Sequence, residues 1–390
     1  MGAVRDVAVV VLGISLLVFI ALFGHVPGLR NTPIGFAHRF LWKTIPRWFF
    51  ALDRAVTCGR LGPVLMGTGD YLMNEKHPII MAFYLTLVTG GIYMFTKDGW
   101  KHLSLIHRMC IPMVATLPYI TMYLAATSDP GFITPENHQR SLQCYPYDHL
   151  NFRPGNICRT CQLAKPARSK HCSICKHCIA KHDHHCVWIN NCVGQLNTRH
   201  FLAFLAATNI LLSYGLYLSF SIIQSFIVRA LIPSQIAIGT LPWSVYLHLF
   251  GIAIVEEIYI GAVFLLCALT GVLSFAFTTY HLYLIWAGTT TNETIKWSDW
   301  RDDIKNGDIL LADPEEDDDI TELDADEMCR DWPRVTTQLF YRIDPTNGGD
   351  IPRGIIWRRV QGLGEIDNIY DLGWGSNFRD ALWPRDFNAR

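Results

Sequence analysis

Uncharged, mostly apolar stretches long enough to cross a bilayer recur along this 390-residue chain, and they restrict it more than any other feature does. A membrane-spanning helix needs about 20 such residues. Five windows qualify: Val7 to Phe23, Pro78 to Phe95, Met109 to Ala126, Phe201 to Val228, and Ile258 to Tyr280. The last lies inside a longer apolar run, Val245 to Ala287, whose Glu256 and Glu257 place the preceding part at the interface. The first resembles a signal peptide, but Gly24-His25-Val26 is a poor cleavage site, so it reads as a retained anchor. Half the residues are apolar and only 17% are charged, against about 25% in soluble domains, which excludes a plain soluble enzyme. A net charge of -1 excludes a generally basic nucleic-acid binder.

Loop charge sets the expected orientation. Arg30, Arg39, Lys43, Arg47, Arg54, Arg60 and Lys76 lie between the first two windows, whereas residues 229–244 hold Arg229 alone. The first of these loops is therefore expected in the cytosol, with the amino terminus lumenal. Alternation then puts the Cys-rich segment and the carboxy-terminal tail in the cytosol. Thiols stay reduced there, so a dense Cys/His cluster points to metal binding or catalysis before disulfides.

Seven of the twelve cysteines fall between Cys158 and Cys192. The run reads Cys158-x2-Cys161, His171-Cys172-x2-Cys175-x2-Cys178, Asp183-His184-His185-Cys186 and Cys192. Paired Cys at this spacing signals structural zinc, which takes four Cys or His ligands, so two ions need eight. Seven Cys plus one His make eight, and so do six Cys plus two His with one thiol left over. The count alone does not decide. Cys186 is the candidate spare thiol, because His184 and Asp183 stand beside it as a base and a group to orient the base. If the stretch is extended, His184 and Cys186 share one face while His185 projects to the other, free to bind zinc.

The residues from Cys158 to Phe201 resemble the signature of the DHHC protein S-acyltransferases, integral-membrane palmitoyltransferases. Lys165-Pro166-x-Arg168, His171-Cys172, the Asp183-His184-His185-Cys186 tetrad, Trp188, Asn191-Cys192-Val193-Gly194 and Asn197 carry the likeness. Asp129-Pro130-Gly131 resembles the family's DPG motif, and Thr290-Thr291-Asn292-Glu293 its TTxE motif. Asn368-x-Tyr370-Asp371-Leu372-Gly373 with Asn377 resembles its carboxy-terminal aromatic and Asn motif. The amino terminus departs from the family's four-helix core by an extra span and a basic linker. That arrangement resembles the fungal branch of endoplasmic-reticulum enzymes that acylate juxtamembrane cysteines of SNAREs.

The resemblance implies an all-α polytopic membrane protein: a four-helix transmembrane core plus an extra amino-terminal span, with a small cytosolic zinc-binding Cys-rich domain between the third and fourth spans. The expected organisation is an anchor at 1–24, a basic linker at 25–77, a transmembrane hairpin at 78–127 and the Cys-rich domain at 128–200. Two further helices at 201–287 and a cytosolic tail at 288–390 follow. It further implies one zinc on Cys158, Cys161, His171 and Cys178, and another on Cys172, Cys175, His185 and Cys192. Cys186, with His184 and Asp183, would carry a fatty acyl group from acyl-CoA to thiols of membrane proteins. Asp129, Pro130, Gly131, Thr290, Thr291, Glu293, Tyr370 and Asn377 are the implied supporting residues.

Between Phe152 and His182 the chain has seven basic residues and no acid. Arg168, Lys170 and Lys165 are the expected contacts to coenzyme A phosphates, against the plainer reading of attraction to anionic headgroups. His177 and His182 are expected at the surface, and Cys144 as a possible acylation target. The eleven acids from Asp313 to Asp331 read as a solvated insertion. A membrane-anchored RING-like zinc adaptor or ubiquitin ligase is the competing class, but its closing Cys-x2-Cys pair is missing. A transporter would want ionisable residues inside the spans.

Overall fold

The computed structural model describes residues 16, 17, 20, 31–312, 332–334, 336, 338–343 and 355–388. Most of the expected first span, Val7 to Phe23, and the acidic insertion from Asp313 to Asp331 lie outside the described residues. The elements run α1 (Pro33–Arg39), α2 (Ile45–Thr57), α3 (Leu61–Asn74), α4 (Ile79–Gly99), α5 (Leu105–Thr127) and α6 (His138–Leu142). Four short strands follow: β1 (Lys170–Cys172), β2 (His177–Ile179), β3 (His184–Cys186) and β4 (Asn191–Val193). Then come α7 (Thr198–Leu231), α8 (Trp243–Glu256), α9 (Ile258–Trp286), α10 (Thr291–Asn306), β5 (Ile309–Ala312), β6 (Phe340–Arg342), β7 (Trp357–Arg359) and α11 (Trp374–Leu382).

Among the described residues, four helices are long and apolar enough to cross a membrane: Ile79–His102, Leu105–Thr127, Thr198–Leu231 and Ile258–Trp286. At 1.5 Å per residue even the 23-residue α5 reaches roughly 35 Å. The protein is thus a mostly helical, multi-pass membrane protein. The 14-residue α8 reaches only about 21 Å, short of the roughly 30 Å hydrocarbon core. Glu257 closes it with a non-helical backbone (φ -97°, ψ 62°), which splits the long apolar run. A Cβ on Gly261 would stand 2.2 Å from the Ile254 carbonyl oxygen, so only glycine lets α9 start this close behind α8.

The chain forms two compact units. The first comprises residues 1–77, 91–103 and 215–266. Its segment 33–74, expected as a basic linker, is helical over most of its length. In α2, Ile45, Trp48, Phe49, Leu52 and Val56 recur at helical spacing and are exposed. Asp53 is buried, and its carboxylate accepts the Leu61 (3.1 Å) and Gly62 (2.7 Å) amides, which caps the start of α3. Charge counting saw only the basic residues and missed this periodicity.

The second unit comprises residues 78–90, 104–214 and 267–390. Its Cys-rich part is two antiparallel hairpins, β1–β2 and β3–β4. The first aligns His171 with Cys178, the second His185 with Cys192. The carboxy-terminal part adds a three-stranded sheet in the order β6-β5-β7, antiparallel throughout. Its strands, three or four residues long, are too short for period-two alternation to show in sequence. Among the apolar clusters of the unit, two position the Cys-rich part. Met122, Ala125, Cys186, Ile189, Val193, Phe201 and Phe204 seat β3–β4 against α5 and α7. Ile133, Cys144, Tyr145, Phe152, Trp332, Ile369, Tyr370 and Phe387 bind the Cys-rich part to the tail. Cys144 is therefore buried, not available as an acylation target, and burial pushes its thiol up.

Asp148 carries a stability consequence. It is 2% exposed and its Oδ1 accepts the Leu150 (3.1 Å) and Phe152 (2.8 Å) amides, yet burial raises its carboxyl to about 6. A carboxyl raised above its unfolded value of about 3.9 contributes stability at low pH and loses it as pH rises through about 6. Asp148→Asn keeps an acceptor oxygen without the charge. The variant should match wild type near pH 4 and gain on it between about pH 4 and 7, by up to roughly 3 kcal/mol. Thermal unfolding of both proteins in detergent across that range measures the difference, and an advantage that stays flat with pH would refute it.

Candidate active site

Each hairpin of the second unit delivers a directly opposed His–Cys pair, and a preceding Cys-x2-Cys turn completes a set of four. Cys158, Cys161, His171 and Cys178 form one group, and Cys172, Cys175, His185 and Cys192 the other, with all ligand atoms within 4.8 Å of one another in each. His171 Nδ1 lies 3.6, 3.4 and 3.8 Å from its three sulfurs. His185 Nδ1 lies 3.8, 3.4 and 3.6 Å from its own. A tetrahedron with zinc–sulfur bonds of about 2.3 Å and zinc–nitrogen bonds of about 2.0 Å has S···N edges of roughly 3.6 Å, so both sets fit the ion. The Cys161 and Cys175 amides point at the first sulfur of their turns, at 3.4 and 3.3 Å. The groups interleave because β1 is extended: His171 and Cys172 are neighbours that face opposite ways.

The tetrad is extended as well. β3 runs His184–Cys186, so His184 and Cys186 share a face and His185 takes the other. Asp183 Oδ2 meets His184 Nδ1 at 2.8 Å, while its Oδ1 accepts the Thr291 amide at the start of α10. Burial pushes the Asp183 carboxyl up, but the His184 contact and the Thr291 amide hold it below the usual carboxylate range. Burial likewise opposes charge on His184, yet Asp183 and Cys186 together raise its imidazole well above 6.5. Cys186 itself is 4% exposed, in the cluster with Met122, Ala125 and Phe204. These groups can hold a proton beside a thiol buried among apolar side chains.

The motif after the last span does more than cap a helix. Thr290 and Glu293 form a capping box on α10. Glu293 then binds Arg168 through two 2.7 Å contacts, and Arg168 also donates to the Gly288 carbonyl at 3.0 Å. The guanidinium lies 4.5 Å from the Tyr370 ring and 5.2 Å from that of Tyr145. Arg168 is thus 1% exposed and committed to structure, which corrects the expectation that it meets a coenzyme phosphate. Spacing reveals a basic residue; only packing reveals its carboxylate. Tyr370 donates to the Pro146 carbonyl at 2.9 Å, and Asn377 donates to the Trp286 carbonyl at 3.0 Å. Asp129 accepts the Gly131 and Phe132 amides and the Asn388 side chain, so it fixes a turn and the tail. Within that turn Pro130 accepts the Leu196 amide, and Gly131 takes φ +101°.

Lys165 and Lys170 do share a pocket. A cavity of about 250 Å³ is lined by them with Arg153, Lys296, Ser169 and Asn292 among others, and no acidic side chain lines it. Lys296, which no sequence motif marked, sits 3.7 Å from the Phe152 ring centroid. Two histidines also escaped sequence reasoning. His182, expected at the surface, is buried with Nε2 3.9 Å from Cys192 Sγ, while His177 is exposed as expected. His281, inside an apolar span, is buried against Asp183 and His184. A lone histidine in a membrane helix was the available signal.

Residues 151–298 match the family model described as DHHC palmitoyltransferase. Palmitoyltransferase swf1 of Emericella nidulans is 37% identical, covering 97% of this chain and 96% of its own. Palmitoyltransferase SWF1 of Neurospora crassa is 37% identical over 98% and 93%. That of Saccharomyces cerevisiae is 33% identical over 92% and 96%. The chain belongs to the DHHC palmitoyltransferase family, and it is a protein S-palmitoyltransferase. The RING-like adaptor finds no support.

Two closed sets of four ligands predict two zinc ions per purified chain. Cys158→Ala or Cys175→Ala should lose one ion and lower the folded yield together, because each opens a tetrahedron. Metal analysis beside size-exclusion yield tests this; one ion or none in the wild type would refute the paired sites.

Proposed function

We propose that Cys186 is the acyl-carrying nucleophile of this palmitoyltransferase, with His184 as its proton carrier and Asp183 as the group that orients His184. The observation that carries the reading is the 2.8 Å Asp183–His184 contact at the head of a strand whose alternation turns His184 and Cys186 to one side. A raised imidazole stands as a cation beside the sulfur and favours its thiolate. The thiolate attacks the carbonyl carbon of an acyl-CoA thioester. The carbon–sulfur bond to coenzyme A breaks, and the departing thiolate takes a proton from His184. A target thiol then gives its proton to His184 and attacks the acyl-enzyme, which frees Cys186. Asp183 stays ionised throughout and holds the ring by Nδ1. Zinc would supply rigidity to a loop-rich segment: each cluster offers four protein ligands, enough to close a tetrahedral site without substrate.

Acyl-CoA is the proposed donor, its phosphates meeting Lys165, Lys170, Lys296 and Arg153 at the basic cavity. The acyl chain belongs among the membrane helices, where each methylene kept from water is worth about 0.8 kcal/mol. Substrates are membrane proteins with juxtamembrane cysteines, SNAREs among them, in the endoplasmic reticulum. Support comes from the resemblance of the whole chain, extra amino-terminal segment included, to the swf1 relatives. The basic residues between Arg30 and Lys76 support a cytosolic Cys-rich segment and tail, with the amino terminus lumenal.

His184→Ala should keep two zincs and slow acyl transfer by about 10²- to 10⁴-fold. His185→Ala should instead lose zinc and folded protein, and Cys186→Ser should keep both ions yet form no hydroxylamine-sensitive adduct. Zinc loss in Cys186→Ser with retention in His185→Ala would reverse the two roles. At the basic cavity, Lys170→Ala with Lys296→Ala should raise the KM for palmitoyl-CoA by roughly 10-fold or more with little change in kcat. An unchanged KM across salt concentrations would remove the phosphates from that cavity.

A further inference from the structure

Asp183, His184 and His281 form a third cluster whose ligand atoms lie within 4.8 Å of one another. Its geometry is that of one hydrogen bond, Asp183 to His184, with His281 as a polar neighbour beside it. Asp183 Oδ2 lies 2.8 Å from His184 Nδ1, whereas an oxygen and a nitrogen on one tetrahedral metal stand roughly 3.3 Å apart. The same Oδ2 faces His281 Nδ1 at 3.5 Å. His281 is 5% exposed on α9 and its ring lies 5.3 Å from that of His184, inclined by 34°. Phe201 packs against both rings, edge-on to His184 at 5.4 Å and to His281 at 5.1 Å. Phe277 packs edge-on against His281 at 4.5 Å.

We infer that His281 is a positioning residue for acyl transfer: from a membrane-spanning helix it fixes the carboxylate of Asp183 and the ring plane of His184, so that the imidazole faces Cys186. The inference rests on the roles proposed for those three residues. Asp183 has two oxygens and three facing groups: the Thr291 amide on Oδ1, and His184 with His281 on Oδ2. With the first two alone, the carboxylate could still roll about the Thr291 contact and carry His184 with it. His281 blocks that roll from the side, and its ring packs together with Phe201 against the His184 ring. An apolar residue of similar size would fill the space but leave Oδ2 without this polar neighbour. An asparagine can set its amide nitrogen near the place of Nδ1.

His281→Leu and His281→Asn, each in the full-length protein in detergent, separate positioning from packing. His281→Leu should lower kcat for acyl-enzyme formation by roughly 10- to 100-fold, the cost of a misplaced catalytic group. Its KM for palmitoyl-CoA and its two zincs should stay unchanged. His281→Asn should recover most of the rate. Equal rates for wild type and both variants would overturn the inference, as would equal loss in both variants accompanied by loss of zinc or folded yield. His184→Ala serves as the reference: wild-type rates in His184→Ala would sink the parent reading. A slow His184→Ala beside a fast His281→Leu would sink only this one.

Discussion

The buried pair of Arg168 and Glu293 holds three separate pieces of sequence at one point. Its two 2.7 Å contacts join the Cys-rich segment to α10, and its third bond reaches the turn at Gly288 behind the last span. Tyr145 and Tyr370 cover the guanidinium, which brings in the tail. Burying both charges costs several kcal/mol each, and their attraction with full hydrogen bonding repays it; removing one partner leaves the other stranded, at about 3–5 kcal/mol. Gly288 takes φ +64° in that turn, and a Cβ there would meet Asp371 Cα at 2.6 Å. The placement of Asp183 follows from this joint, because it sets α10 so that the Thr291 amide meets Asp183.

Short strands and metal-ligand sets solve the remaining problem of order. A three-residue hairpin strand has little apolar area to hold it, so β1 to β4 depend on cross-strand His–Cys pairs that meet in the two clusters. That frame seats the Cys186 thiol among apolar side chains of α5 and α7, where membrane helices end. The same tightness shows at Gly194, where a Cβ would stand 2.5 Å from the Pro130 carbonyl oxygen.

Charge sorts within this second unit. Arg168 and Lys181 are spent on Glu293 and Asp380, so their charge is neutralised inside the protein. Lys165, Lys170, Lys296 and Arg153 face one cavity that no acidic side chain lines. Five of the seven basic residues that look alike in sequence between Phe152 and His182 therefore divide into two internal braces and three that line the cavity.

Sequence by itself settled what length and ligand chemistry fix. Apolar windows of about 20 residues marked the four spans, since bilayer thickness leaves few other readings. Cys and His at zinc spacing marked the metal-binding sets, since a tetrahedron needs four such donors. Everything that rests on contacts between distant residues waited for the tertiary structure. The partner of Arg168 lies 125 positions away, and His281 lies in a span that hydropathy reads as apolar. The helical periodicity of 33–74 was hidden behind a charge count, and the sheet of β5 to β7 was divided by 27 residues between two of its strands. Pairing across such separations is decided by packing, which no local spacing records.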